Sequence, residues 1–242
     1  MPIITPVSIG TAVHTAIDGA TTLTITTTGT ISQGSFVVIA VVSSAAGANP
    51  VMSISDGTNS YTKAIMATES VDTLEIWYKA NASAVSSGAS IVIFFTNPFN
   101  VGLGLAACAA TVQNVSRTSP LDKTASNLPA VATPPPSVGT PSLLHNPELA
   151  IGATYSYGAT SLPYTQSPGF ANINSIDGGG TTIKLGMDFY ITQPGDISAN
   201  YAPVWTTPQD VGLVIATFIG QKVYQPSPIC AAVQYIREMI GY

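Results

Sequence analysis

The sequence predicts an all-β protein, a single antiparallel β-sandwich, and three observations carry that expectation. Short segments rich in Val, Ile and Thr recur along the chain, each bounded by Gly, Pro, Asn or Asp turn signals. Two of them, SFVVIAVVSS (residues 35–44) and VGLVIATFIG (residues 211–220), are continuous apolar runs of strand length. Such runs fit central strands buried on both faces, because stiff β-branched side chains pack well on a pleated surface. A helical spacing of apolar residues is visible only at the C-terminal end.

Taken in order, residues 1–19 open with MPIITPVSIG, a Pro-containing apolar N-terminal arm. It is expected to lie on its own domain or on a neighbour, with Ile3, Ile4 and Val7 as candidate interface residues. LTITTT (23–28) places Leu23 and Ile25 on one face and Thr22, Thr24 and Thr26 on the other, a half-buried strand. Gln33-Gly34 turns the chain into the first apolar run. A short strand over 51–55 follows, and Asp56-Gly57 is a turn signal before a strand over 61–66. TLEIWYK (73–79) alternates Leu74, Ile76 and Tyr78 with Glu75, Trp77 and Lys79, which puts Glu75 on the outer face. SIVIFFT (90–96) sets Ile91, Ile93 and Phe95 together, and the alanines of LAACAATVQNV (105–115) suit the close approach of two sheets.

Residues 116–145 are polar and Pro-rich, with Pro134-Pro135-Pro136, and are expected to form a long internal loop across the surface. Strand alternation then resumes. ELAIGATYSYG (148–158) aligns Leu149, Ile151, Ala153, Tyr155 and Tyr157. IKLGMDFYIT (183–192) sets Ile183, Leu185, Met187, Phe189 and Ile191 against Lys184, Gly186, Asp188, Tyr190 and Thr192. The sandwich is thus expected over residues 20–220. Residues 221–242 form a short C-terminal helical tail, with Ile229, Val233, Ile236 and Ile240 on one stripe as further candidate interface residues. A helix this short needs a surface to pack on.

Charged residues are only 8% of the chain, against roughly 25% in ordinary soluble domains. A surface built of hydroxyls and small side chains suggests coverage by neighbours. The net charge of −5 and seven scattered Lys and Arg residues exclude nucleic acid as an expected partner. No segment reaches the roughly 20 apolar residues of a membrane-spanning helix, and the N-terminal residues lack a signal-peptide pattern, so synthesis in a cytoplasm is expected. Cys108 and Cys230 are expected to be free thiols. His14 and His145 stand at no metal-ligand spacing, and no G-x-S-x-G elbow occurs. Of twelve carboxylates, Glu69, Asp72 and Glu75 cluster most closely, without the surroundings of a glycosidase pair. Asp56-Gly57 and the glycines after Asp177 are turns rather than calcium loops. No catalytic residue, metal or cofactor is expected. Trp77, Tyr190 and Trp205 are candidate glycan contacts if they face outward, and otherwise pack under loops or at subunit contacts.

The ordered features QGSFVVIAVVSS, NPVMSISDGTNSYT, TLEIWYKAN, SIVIFFT, NPELAIGATYSYG and DVGLVIATFIG resemble the jelly-roll-like β-sandwich repeated in bacteriophage virion proteins and in some bacterial surface proteins. The resemblance covers roughly residues 20 to 220 and rests on strand patterns and turns. It implies a jelly-roll type of sandwich and a structural role in a virion: a capsid cement or decoration protein, or a head-fibre base. A neck, tail or fibre protein is the alternative within that class, and a carbohydrate-binding adhesin module the alternative outside it. The implied partners are copies of the chain itself, a trimer suiting a capsid three-fold, and other virion proteins such as a major capsid protein.

Overall fold

The computed structural model describes residues 3, 5–15, 19–44, 48–69, 72–98, 104–128, 137–157, 164–177, 183–205 and 210–221. Among them every regular element is a β-strand. The first eight are β1 (Val7–Thr15), β2 (Thr22–Thr26), β3 (Phe36–Ser44), β4 (Val51–Ser55), β5 (Thr62–Glu69), β6 (Asp72–Lys79), β7 (Ser90–Phe95) and β8 (Gly104–Val112). The remaining seven are β9 (Leu121–Asn127), β10 (Val138–Gly139), β11 (Glu148–Tyr157), β12 (Ala171–Asp177), β13 (Lys184–Ile191), β14 (Asn200–Tyr201) and β15 (Asp210–Ile219). The helix expected at the C-terminus, with Ile229, Cys230, Val233, Ile236 and Ile240, lies outside the described residues, as does Ile4.

The strands pair antiparallel into four sheets: β1-β8-β3-β6-β5 and β2-β7-β4 from the first half of the chain, β12-β13-β11-β15-β9 and β10-β14 from the second. These orders are the same order twice. Read from its other edge, the second five-stranded sheet runs β9-β15-β11-β13-β12, and these strands correspond in turn to β1, β8, β3, β6 and β5. The registers agree as well. Phe36 faces Val112 and Val42 faces Leu74, as Leu149 faces Phe218 and Tyr155 faces Leu185. Both edge strands bulge at one place: between Lys63 and Ile65 opposite Trp77 and Ile76, and between Asn172 and Asn174 opposite Asp188 and Met187. The second half therefore repeats the first.

The two five-stranded sheets pack face to face. Phe36, Val38, Ala40 and Val42 of β3 and Leu149, Ile151, Ala153 and Tyr155 of β11 point into one shared core, with Ala106, Cys108 and Ala110 of β8. The packing is reciprocal: β1 lies on β12 and β9 on β5, β8 on β13 and β15 on β6. That is the pattern of an isologous dimer interface made within one chain. The outer face of the first sheet is covered by β2-β7-β4, through Leu23, Ile25, Ile91 and Ile93. The outer face of the second is covered by β10-β14 and by Tyr164, Phe170 and Trp205 from the adjoining segments. Four layers result, and both expected central strands are buried on both faces: all of β3, and β15 from Val211 to Phe218.

Several expectations require correction. One sandwich is too few layers: the central sandwich takes one five-stranded sheet from each half, and a further layer covers each outer face. The N-terminal arm lies on its own domain, one of the two expected places, and does so as a strand: Val7–Thr15 adds to the edge of β8, where an open strand supplies backbone partners that a loose segment would lack. Ile3 is buried in the shared core and packs beside Gly220, while Val7 is 61% exposed. The long loop over 116–145 contains β9, paired with β15. Its mostly polar sequence LDKTASN suits an edge strand, which is why no apolar alternation marked it. Glu75 lies on the outer face of its sheet, as expected, but is buried there, since β4 and its neighbours cover it. Cys108 is a buried free thiol, as expected.

Small residues keep the two inner sheets close, so Ala110→Leu should overpack the core. An unfolding midpoint lowered by about 1–3 kcal/mol in chemical denaturation is the expected result.

Candidate functional site

Three polar assemblies and one surface cleft gather the groups capable of chemistry. The first surrounds Glu75. Its Oε1 accepts from the Val51 amide (2.6 Å), and its Oε2 accepts from Trp77 Nε1 (2.8 Å) and pairs with Lys63 Nζ (2.9 Å). Lys63 Nζ also lies 5.0 Å from the Trp77 ring centroid and donates to the Val51 carbonyl. Strand alternation places Glu75 and Trp77 on the same face, and the bulge in β5 brings Lys63 opposite. Oε1 thereby fastens β4 to the inner sheet, and Oε2 holds Lys63, which reaches the Val51 carbonyl of the same strand.

The second assembly centres on Asp188, fully buried on the outer face of β13. Oδ1 accepts from the Tyr164 hydroxyl (2.7 Å) and from Asn172 Nδ2 (3.0 Å), and Oδ2 accepts from the Tyr201 hydroxyl (2.8 Å). Burial raises the Asp188 pKa against the opposing effect of these bonds. It also raises those of Tyr164 and Tyr201, with the carboxylate adding to the effect. The rings lie flat because glycines leave room: a Cβ on Gly152 would meet the Tyr201 ring at 2.7 Å. Trp205 stacks 4.5 Å from the Tyr164 ring and donates through Nε1 to Thr154 Oγ1 (2.9 Å).

The third is a pair of acids, Asp122 of β9 and Glu148 of β11. Glu148 Oε1 accepts from the His145 amide (3.0 Å), and Asp122 Oδ2 from the Leu144 amide (2.9 Å). Burial first, then the neighbouring Asp122 carboxylate, pushes Glu148 up to about 7. Backbone and side-chain hydrogen bonds and Lys123 hold Asp122 below the usual range. Glu148 thus carries the proton that the pair shares.

The cleft, of about 260 Å³, is lined by Ser167, Gly169, Phe170, Tyr190, Asp196 and Asn200, among others. Tyr190 donates to Asp196 Oδ2 at 2.6 Å, and its ring lies 5.6 Å from that of Phe170.

The residues singled out from sequence are thus dispersed. Trp77 and Trp205 are 5% and 4% exposed and cannot offer a stacking face; a second layer covers what alternation alone would leave in water. Tyr190 is half-buried at the cleft. Glu69 and Asp72 face each other at the β5–β6 turn, and Asp72 accepts from Tyr155 across the shared core (3.2 Å), away from the Glu75 assembly. Among the described residues no three His, Cys, Asp or Glu groups could hold a metal. Asp188, Tyr164, Tyr201 and the Asp122–Glu148 pair went unmarked in the sequence. The one available signal was a carboxylate in mid-strand, in GMDFY. No family model, curated protein or solved structure matches the chain.

Two outcomes follow from these environments. Asp188→Ala orphans two buried hydroxyls and should cost about 2–5 kcal/mol, read as a melting temperature lower by roughly 5–15 °C, with near-native circular dichroism below it. Glu148, raised from 4.5 to about 7, holds its proton more tightly when folded. Its contribution to stability is full below 4.5 and is lost as pH rises through about 7. The denaturation midpoint should therefore fall over that window, and Glu148→Gln should flatten the fall.

Proposed function

We propose that the chain is a structural component of a bacteriophage virion, a tandem of two jelly-roll-type units acting by adhesion without chemistry. The eight strands β1 to β8, in two sheets with β3 central, support the jelly-roll reading, and the second half repeats it with a reduced outer layer. The observation that carries the structural role is how the buried polar groups are used. Glu75 fastens β4, Asp188 fastens the Tyr164 and Tyr201 segments, and Asp72 joins the two halves. Each carboxylate holds layers together instead of facing a substrate.

The surface suits attachment. It carries few charges, and Val7, Met52, Leu144 and Ile197 each expose more than half of their area. Capsid cement or decoration, or the base of a head fibre, is the role that suits a weakly charged block in which Ile3, ahead of the first strand, packs beside Gly220 at the end of the last described strand. Neighbouring copies and a major capsid protein are the partners proposed, with Val7 and the residues beyond 221 at the contact.

Gradient-purified particles from a lysing host culture test this reading. Mass spectrometry should find the chain at a fixed copy number per particle. A chain lacking residues 222–242 should melt as the full chain does and be lost from the particles. A chain abundant in the lysate and absent from particles would overturn the proposal.

A further inference from the structure

The two halves differ where the cleft lies. In the first half, β4 pairs with β7 through Ser53 to Phe94 and Ser55 to Val92. In the second half the described residues at that place form the bridge of Thr165 to Val204, made by two backbone bonds of 2.8 Å. The Ser167 hydroxyl stands in for the next rung, accepting from the Ala202 amide (3.0 Å) and donating to the Asn200 carbonyl (3.3 Å). The frames correspond closely: Thr27 donates to Ala89 as Thr140 donates to Ala199, and Gly139 faces Asn200 as Thr26 faces Ser90.

The following turn differs more. In the first half residues 56–60 separate β4 from Tyr61. The Asp56 carboxylate caps this turn through the Thr58 and Asn59 amides, and Asn59 reaches across to the segment between β6 and β7. Its Nδ2 donates to the Ser83 carbonyl (3.1 Å) and its Oδ1 accepts from the Ser83 amide (2.8 Å). In the second half only Pro168 and Gly169 separate Ser167 from Phe170, closed by the Phe170 amide on the Ser167 carbonyl (2.9 Å). No side chain of this short turn can play the part of Asn59. The gap to the segment between β13 and β14 is the cleft.

What lines the gap defines what it can hold. Gly169 has φ of +83°, and a Cβ there would touch the Tyr190 ring at 3.6 Å, so glycine keeps this side of the cleft slim. Asp196 Oδ2 takes both the Tyr190 hydroxyl (2.6 Å) and the Gln193 amide (2.7 Å), leaving Oδ1 its acceptor capacity. Those two bonds hold Asp196 below the usual carboxylate range. Ser198 and Asn200 also line the cleft. An aromatic ring beside a fixed carboxylate matches a pyranose, whose C–H face stacks on such a ring while adjacent hydroxyls bond the polar lining. The volume lies just below the roughly 300 Å³ lower bound of small-molecule pockets, room for about one ring. An ionised Asp196 on a chain of net charge −5 disfavours anionic sugars.

We propose that this cleft binds one pyranose ring of a neutral saccharide, free or at the end of a glycan, through Tyr190, Asp196 and Asn200. The site is additional to the structural role and does not depend on it. The test is ¹H–¹⁵N NMR of the full chain titrated to about 50 mM, a range suited to the weak affinity of a single ring, with the methyl glycosides of glucose, galactose, mannose and N-acetylglucosamine. At least one should shift the amides of Gly169, Tyr190, Asp196 and Asn200 and leave those around Asn59 and Ser83 unmoved. Asp196→Asn, which keeps an acceptor for Tyr190, and Tyr190→Ala should each weaken binding about tenfold or more, the former with an unchanged melting temperature. An immobilised oligosaccharide ending in the same ring should be retained if the source is a glycan; retention no better than the free glycoside assigns the free sugar. Absence of shifts with all four probes, shifts elsewhere, or undiminished binding by Asp196→Asn would overturn the proposal.

Discussion

The structure depends on one interface, the burial of two five-stranded sheets against each other. Each sheet needs a partner for one face and a cover for the other, and neither half could supply both from its own strands. Face-to-face packing about 10 Å apart is possible because the centre is thin: Ala40, Ala106, Cys108, Ala110, Ala153 and Ala216 occupy the facing positions of the middle strands. Bulk is displaced outward. Phe36, Tyr78 and Phe218 form a ring cluster with centroids 4.7 to 5.7 Å apart, and Tyr155 reaches Asp72 from the other half. The reciprocal arrangement makes each half the template for the other.

Much of this was legible in the chain. Alternation in LTITTT, SIVIFFT, ELAIGATYSYG and IKLGMDFYIT marked the faces that prove to be apolar, and the two unbroken runs marked the doubly buried strands. What alternation could not convey was the state of the opposite face. Glu75, Trp77, Lys184 and Asp188 occupy polar positions of the pattern, yet all are buried because a further layer lies above them. Edge strands were equally obscure: β1 follows a proline-containing start and β9 lies in a proline-rich segment, and each is defined by the strand it joins. The repeat was hidden for a related reason. Equivalent positions share burial and register but not identity, as Trp77 with Asp188 or Glu75 with Gly186, so it shows only in the pairing.

The two outer layers answer the same demand in different ways. The first half covers its inner sheet with three strands of mostly aliphatic side chains, fastened at β4 by Glu75 and Lys63. Among the described residues the second half has two-residue strands there, and Tyr164 and Trp205 come in from the adjoining segments beside Tyr201 of β14. Rings of that size need space, which the glycines of β11 and β13 provide, and their hydroxyls need partners, which Asp188 provides. Asp188 thus serves the rings that a shorter outer sheet brings in, as Glu75 serves β4 in the first half. The cleft has the same origin, since loops close a surface less completely than strands.

Cys108 sits in the shared core on β8, fully buried, its thiol pushed up to about 12 by burial. A thiol in that state is unreactive, since the thiolate is the nucleophile. It has no route to reagent while the two sheets stay together, so its alkylation counts the openings of the central interface and not the fraying of loops or outer strands. The molecule carries, in a single sulfur atom, its own clock for the parting of its halves.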